Sequence, residues 1–470
     1  MRNDERRGLT IILTLMVFLA GYGILFLTGV TNIRHLLDNV ISAYLLAWAL
    51  YGMFARVPLS ETGSRFLLTT GSLVFCWLLA EGAVMIGAID FRTLLGAYEP
   101  GTALSMEGRR YDKELLWRHD PHYQYEASYQ GNLGGALCIP PDPTQKIDVR
   151  YDHNGFRNAR DLHEAELVVI GDSYIEGYLT PESKLITTVL SELQGTSVAN
   201  LGHSGYGPQQ ELAVLRRFGL PLKPKTVVWA FFEGNDFSDS AAYERQAYGS
   251  GNDFWQNFWF RSLTRNVAAL MFRQGRQCIP KESINEFRAE FIDAEHMTKT
   301  ILFAPTEVAQ PSGPTLHNAL APIVEAALLC REQNIRFLVA FVPEKFRVYH
   351  DLHNVSLTTD AVRQLRVTDL PDHMRRLLTE LVPTIEYVDL TPALKSATRA
   401  GIATYLADDT HWTDEGNRIA ADTIHRALRK NHAGRGLGWI FSRTSSLPDQ
   451  SSSDDNARHG GPQYRRLIKK

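Results

Sequence analysis

The chain has 470 residues, with 49 Lys and Arg against 52 Asp and Glu, a formal net charge of −3. At roughly 100–200 residues per domain this length holds two or three units, and the near-neutral balance argues against a nucleic-acid binder, which carries a basic excess. The 44% hydrophobic content excludes a wholly disordered chain, and four cysteines without paired spacing exclude a disulfide scaffold or zinc ribbon.

The long apolar runs lie in the first fifth of the sequence. Gly8 to Val30 holds no charged residue and matches the roughly 20 residues that cross a bilayer core. A second, shorter run covers Val40 to Phe54, and a third covers Phe66 to Ile89, interrupted only by Glu81. Three retained transmembrane helices over residues 1–89 fit better than a cleaved leader, because no small-residue cleavage site follows the first run cleanly. Arg2, Arg6 and Arg7 precede the first run, and Arg56 and Arg65 separate the second from the third. Basic residues favour the cytoplasmic side, so three crossings place everything after about Asp90 outside the cytoplasm, as a multi-pass protein of the cytoplasmic (inner) membrane. Two crossings would leave it inside. With three crossings, Cys138, Cys278 and Cys330 would meet an oxidising compartment, with no pairing legible.

Residues 90–150, rich in Tyr, Gly and Pro, read as an irregular lead-in packed on the following domain. After them, short apolar runs alternate with helical stretches. Strands are expected at Leu167–Ile170, Val198–Leu201, Val227–Phe232, Phe337–Val342 and Ile385–Val388. Helices are expected at Pro181–Leu193, Gln209–Phe218, Leu316–Gln333, His373–Leu381 and Glu415–Leu428. That rhythm predicts an α/β domain over 151–432, a doubly wound parallel sheet with ligands beyond the carboxyl ends of its strands. An insertion at about 239–313 interrupts it, with an aromatic cluster (Trp255, Phe258, Trp259, Phe260) and helical material such as Glu286–His296. Residues 433–470 turn Gly-, Ser- and charge-rich, as in a disordered tail.

Four short motifs fall at the carboxyl ends of those strands or before the last helix. Gly171-Asp172-Ser173 follows the first strand, and Gly202 ends the second. Gly234-Asn235-Asp236 follows the third, and Asp408-Asp409-Thr410-His411 precedes the last helix. Each alone reads as an ordinary turn. Together, and in this order, they resemble the SGNH (GDSL-like) hydrolase superfamily, over roughly Tyr151 to Lys430 without the insertion. Asn154-Gly155-Phe156-Arg157 and the run from Asn200 to Gln209 are similar to membrane-attached bacterial members, while Tyr174 stands where the family nickname has Leu.

The resemblance implies a flavodoxin-like fold and a serine esterase. Ser173 would be the nucleophile, and His411 the base that later protonates the leaving alcohol. Asp408 would orient His411, with Asp409 its rival for that place and Asp408 preferred. The oxyanion donors implied are the N–H groups of Ser173 and Gly202 and the side-chain amide of Asn235. This chemistry requires no metal and no organic cofactor. The expected substrate is an O-acylated carbohydrate, an envelope glycan or a lipid. Pro343-x-Lys345 with Val348-Tyr349, and Thr410-His411-Trp412, are distantly similar to alginate-type acetyltransferases. An O-acetyltransferase acting on an exported polysaccharide, fed by a separate membrane acyl-donor protein, is therefore the alternative. A non-catalytic envelope protein retaining the fold is a third.

Overall fold

Five segments of the chain carry large apolar side chains at nearly every position, which suits strands buried on both faces. The computed structural model describes residues 59–89, 108–136, 139–247, 261–271, 286–304 and 313–435, with a few single positions besides. Two compact units divide it: residues 1–106 with 245–277, and residues 107–244 with 278–470.

In the first unit, α1 (Leu59–Met85) contains a stretch, Glu61–Met85, long and apolar enough to cross a membrane, the only such helix among the described residues. Its apolar side chains are bare in the isolated chain, Leu68 being 73% exposed and Leu78 62%, as expected of a surface that lipid would cover. Glu81 accepts hydrogen bonds from the N–H (2.7 Å) and hydroxyl (2.5 Å) of Thr264, and Trp77 Nε1 donates to the same hydroxyl. The expected first span lies outside the described residues, as does most of the second.

The second unit opens with two antiparallel pairs: β1 (Arg109–Asp112) with β2 (Leu116–His119), and β3 (Gln124–Tyr129) with β4 (Asp142–Arg150). A short helix, α2 (Asn132–Ala136), lies between β3 and β4. The lead-in is thus ordered where irregular chain was expected. Its strands are polar on one side, and their buried side is narrow, Ile147, Val149 and Tyr151 packing with Tyr123 and Tyr125.

The central sheet has five strands, all parallel: β5 (Leu167–Gly171), β6 (Val198–Gly202), β7 (Thr226–Phe232), β10 (Arg336–Val342) and β12 (Glu386–Asp389). Their spatial order is β12-β10-β7-β5-β6, which is the flavodoxin-like doubly wound arrangement. Each agrees with its expected segment to within a residue. Alternate side chains enter separate cores on the two faces. Val227, Trp229 and Phe231 of β7 enter one, and Val228, Ala230 and Phe232 the other. The first face is covered by α5 (Pro208–Val214), α8 (Gly313–Glu332) and α11 (Leu370–Leu381). The second is covered by α4 (Ile186–Gln194), α9 (Lys345–Tyr349), α10 (Asp360–Gln364), α12 (Thr391–Arg399) and α13 (Asp414–Arg435). Two more helices, α3 (Ser173–Glu176) and α6 (Asp236–Ala247), start at the carboxyl ends of β5 and β7. Arg336 clasps Glu386 through two bonds, at 2.7 and 2.5 Å, and reaches the Leu428 carbonyl of α13 at 2.6 Å, which joins two strands to the last helix.

The expected insertion is divided between the units. Part of it, α7 (Leu263–Met271), belongs to the first. In the second, β8 (Arg288–Ile292), β9 (Thr298–Leu302) and β11 (Val355–Leu357) form a small antiparallel sheet in the order β11-β8-β9. This replaces the helical material expected over Glu286–His296. The side chains of β8 alternate, Ala289 and Phe291 buried between exposed neighbours, the period of a strand. Of the aromatic cluster, Phe258 is half-buried and Trp259 51% exposed, while Trp255, Phe260, Cys138, Cys278 and residues after Arg435 lie outside the described residues. Cys76 is exposed and Cys330 buried, both as free thiols.

Two leucines of α4 provide a test of this packing. Leu190 is fully buried and Leu193 is 41% exposed. Leu190→Ala is expected to cost about 2–5 kcal/mol, lowering the thermal midpoint of the full chain by several degrees. Leu193→Ala should leave it nearly unchanged. Thermal unfolding followed by circular dichroism distinguishes them.

Candidate active site

Reversal of strand order between β5 and β7 opens a crevice at their carboxyl ends, the usual ligand position in such sheets. β5 delivers Gly171-Asp172-Ser173 there. The Asp172 carboxylate caps α3 by accepting the Tyr174 N–H at 3.0 Å, which sets Ser173 as the first residue of a helical turn. Its N–H has no partner within that helix.

His411 arrives from the loop before α13. Its Nε2 lies 2.7 Å from Ser173 Oγ, and its Nδ1 lies 2.5 Å from Asp409 Oδ1. The same Asp409 oxygen accepts the His411 N–H at 2.7 Å, and the other accepts the N–H of Asn132. Asp409 is fully buried. Burial would raise its pKa, yet the His411 charge and these hydrogen bonds hold it below the usual carboxylate range. For His411, burial favours the neutral ring, and the Asp409 carboxylate with its hydrogen bond outweighs that, so its pKa lies above 6.5.

Asp408, preferred from the sequence as the partner of His411, is placed elsewhere. It accepts the Tyr129 hydroxyl at 2.5 Å, and its carbonyl accepts the N–H groups of Leu133 and Gly134. A tight loop explains the exchange: the carboxylate two residues before His411 can bond both its backbone N–H and its ring, while the neighbouring one points toward α2. Close approach requires a glycine at 131, where a Cβ would sit 2.3 Å from the Asp408 carbonyl oxygen.

Of the three expected oxyanion donors, Gly202 is already engaged, its N–H bonded to Asn200 Oδ1 at 2.9 Å. The N–H groups of His203, Ser204 and Tyr206 go to Gly171 O, Glu176 Oε2 and His203 O. Between them, the Gly205 N–H has no such acceptor among the described residues, and Gly205 adopts φ +77, which favours glycine. Asn235 follows β7 and donates from Nδ2 to Asp239 Oδ2 at 2.9 Å. Burial, then the nearby Asp172 charge, pushes Asp239 up to about 7. Burial likewise keeps the carboxyls of Glu211 and Asp236 far above the ordinary range.

Supporting residues come from segments that carry no nucleophile or base. Arg157, 2% exposed, donates to the carbonyls of Gly177 and, at 2.5 Å, Thr180. Asn158 exchanges hydrogen bonds with the backbone of Asn200. Asn132 also bonds Thr410 through its side chain in both directions. The motif Asn154-Gly155-Phe156-Arg157 signals the first of these in the sequence; nothing in the aperiodic stretch around Asn132 signals the last.

His119, Glu176 and His203 are buried with their ligand atoms within 4.8 Å of one another. The two imidazoles stack with centroids 4.5 Å apart and planes 23° apart, so their lone pairs do not converge on a common point as metal ligation needs. Glu176 accepts from Tyr151 OH (2.5 Å), the Ser204 N–H (2.5 Å) and His119. A metal would have to break those bonds.

Residues 302–458 match the family described as SGNH hydrolase-like domain, acetyltransferase AlgX. No curated protein matches the sequence at a significant level. Among solved structures, a catalytic mutant of an acetylxylan esterase from Geobacillus stearothermophilus is 13% identical, over 57% of this chain and 95% of that one, with a TM-score of 0.31. A GDSL-like lipase from Bacteroides thetaiotaomicron is 15% identical over 56% and 88%, with a TM-score of 0.28. At such scores the likeness to these structures carries no argument about chemistry. The SGNH resemblance and the α/β fold stand on the matched family together with the sheet described above.

The pairing of His411 with Asp409 is open to direct measurement. Histidine-selective NMR of the full chain should find the His411 ring titrating above 6.5. Asp409→Asn should move that midpoint down, since removing the carboxylate leaves burial to favour the neutral ring, while Asp408→Asn should move it little. Equal shifts in both variants would contradict the assignment.

Proposed function

We propose that this SGNH-type chain is a serine esterase that removes short acyl groups, acetyl above all, from an O-acylated carbohydrate, envelope glycan or lipid. The 2.7 Å contact between Ser173 Oγ and His411 Nε2, with Asp409 behind the imidazole, carries the reading. Ser173 Oγ attacks the acyl carbonyl as its proton passes to His411 Nε2. The imidazolium, stabilised by Asp409, returns that proton to the departing alcohol oxygen. Water then enters by the same route and releases the acid. The oxyanion is assigned to the Ser173 N–H, the Gly205 N–H in place of that of Gly202, and the Asn235 amide. Loss of one such donor costs about 10²–10³-fold in turnover.

A small cavity beside Ser173 and His411 supports a short acyl group. Tyr174, Tyr178, Trp412 and Asn417 crowd it to about 10 Å³, which leaves no room for a long acyl chain. The second reading, acyl transfer to an exported glycan, is favoured by the description of the matched family. Under either reading the chain is anchored in the cytoplasmic membrane with its second unit outside, and a transferase would draw its acyl group from a membrane partner.

A fluorophosphonate probe should label Ser173 in the wild type and not in Ser173→Ala. Nitrophenyl acetate should be cleaved with kcat/KM at least ~10-fold above nitrophenyl octanoate, each mismatched methylene being worth roughly 1–3 kcal/mol. Absence of labelling in the wild type would remove the enzyme reading. Slow hydrolysis accelerated by an added glycan acceptor would favour the transferase.

Asn235→Ala should lower kcat by about 10²-fold with little change in KM. An unchanged kcat would take Asn235 out of the oxyanion site.

A further inference from the structure

The esterase chemistry leaves one sequence motif unused, Pro343-x-Lys345-x-x-x-Tyr349, which follows the carboxyl end of β10. Pro343, Lys345 and Tyr349 all bond the same stretch of chain. Lys345, 3% exposed, donates from Nζ to three main-chain carbonyls: Leu406 at 2.6 Å, Ala407 at 2.9 Å and Asp409 at 3.3 Å. That uses all three ammonium hydrogens. Pro343 accepts the Tyr405 hydroxyl at 2.6 Å. The Tyr349 hydroxyl accepts the N–H of Thr404 at 3.1 Å and that of Tyr405 at 3.4 Å. Residues 404–409 are therefore held from one side along their whole length, and Asp409 and His411 stand at the end of that stretch.

A loop needs such holding. Strand ends are fixed by ladder bonds on both sides, whereas Asp409 and His411 lie where the backbone joins no ladder beyond the single Tyr405–Trp412 bridge. Carbonyls turned inward there would be costly to bury without donors, and a displacement of about 1 Å at a reacting group can cost ~10²-fold in rate. An ammonium on a helix packed against the sheet supplies the donors and ties the loop to a rigid element. Burial pushes Lys345 down to about 7, while the Asp409 and Asp408 carboxylates favour its charged form.

We infer that Lys345 is a positioning residue, braced by Pro343 and Tyr349, which holds the 404–409 backbone so that Asp409 keeps His411 on Ser173. This rests on the esterase reading above. It concerns residues that touch neither substrate nor the reacting atoms.

The test compares Lys345→Met and Tyr349→Phe with wild type in the full chain, using nitrophenyl acetate. Each variant is also built in a His411→Ala background. Lys345→Met is expected to lower kcat by roughly 10–100-fold with KM within about 2-fold. In the His411→Ala background the same change should cost nothing further, because the geometry it guards has already been lost. A loss of equal size in both backgrounds marks general destabilisation and overturns the inference, as does a kcat for Lys345→Met equal to wild type. If Lys345→Met does not fold, Tyr349→Phe decides by the same comparison, with a smaller expected loss of a few-fold. If His411→Ala itself keeps wild-type activity, the esterase reading falls. If His411→Ala is inactive while both brace variants match wild type, only the inference falls.

Discussion

One buried carboxylate organises this site. Asp409 is shut away from water, which is tolerable only because its oxygens accept from the His411 ring, the His411 backbone and the Asn132 backbone. The same burial that makes the charge costly makes its attraction to an imidazolium strong. The rest of the second unit can be viewed as what it takes to keep that arrangement in one geometry. The sheet fixes Ser173 from one side, and two separate stretches of chain, around Asn132 and around Lys345, fix the loop from the other.

The hydrogen-bond partners differ in kind across the site. Around Ser173 they belong to regular structure: a strand end, a capped helical turn and an arginine collecting stray carbonyls. Around His411 they are nearly all main-chain groups met by side chains from elsewhere, Lys345, Tyr349 and Asn132 among them. A nucleophile set on a rigid edge and a base set on a tethered loop divide the work of alignment. The carboxyls of Glu211, Asp236 and Asp239 are buried on the third side of the site, where Asp239 accepts from Asn235, and burial raises the pKa of each, Asp239 to about 7.

Much of this is legible in the sequence. The five central strands are short, apolar on both faces and punctuated by glycine or polar residues, so their limits can be placed closely. The motif residues at their carboxyl ends also point to Ser173, Asn235 and His411 as neighbours. What escapes a sequence reading is decided by turns of a few residues. Asp408 and Asp409 are the same residue type at adjacent positions, and only the direction of the loop assigns them. Gly202 and Gly205 differ in whether Asn200 has already claimed the N–H. The strands of the lead-in bury too narrow a face to show a period, so Asn132 looks like part of a plain connection. Strand β8 reads as helix because so short an alternating run, with charged residues between its buried ones, resembles an exposed helical face.

The contact between Asn132 and Asp409 also bears on how this protein can be divided. Sequence alone would draw the boundary of the hydrolase-like unit near Tyr151, where its first recognisable motif begins. A shortened chain starting there would keep the sheet, the serine and the histidine. It would leave one oxygen of a buried anion without its donor, and Thr410 without both of its bonds to the Asn132 side chain. The working boundary of the unit therefore lies upstream of β3, because exchanging this lead-in would also change the surroundings of the acid.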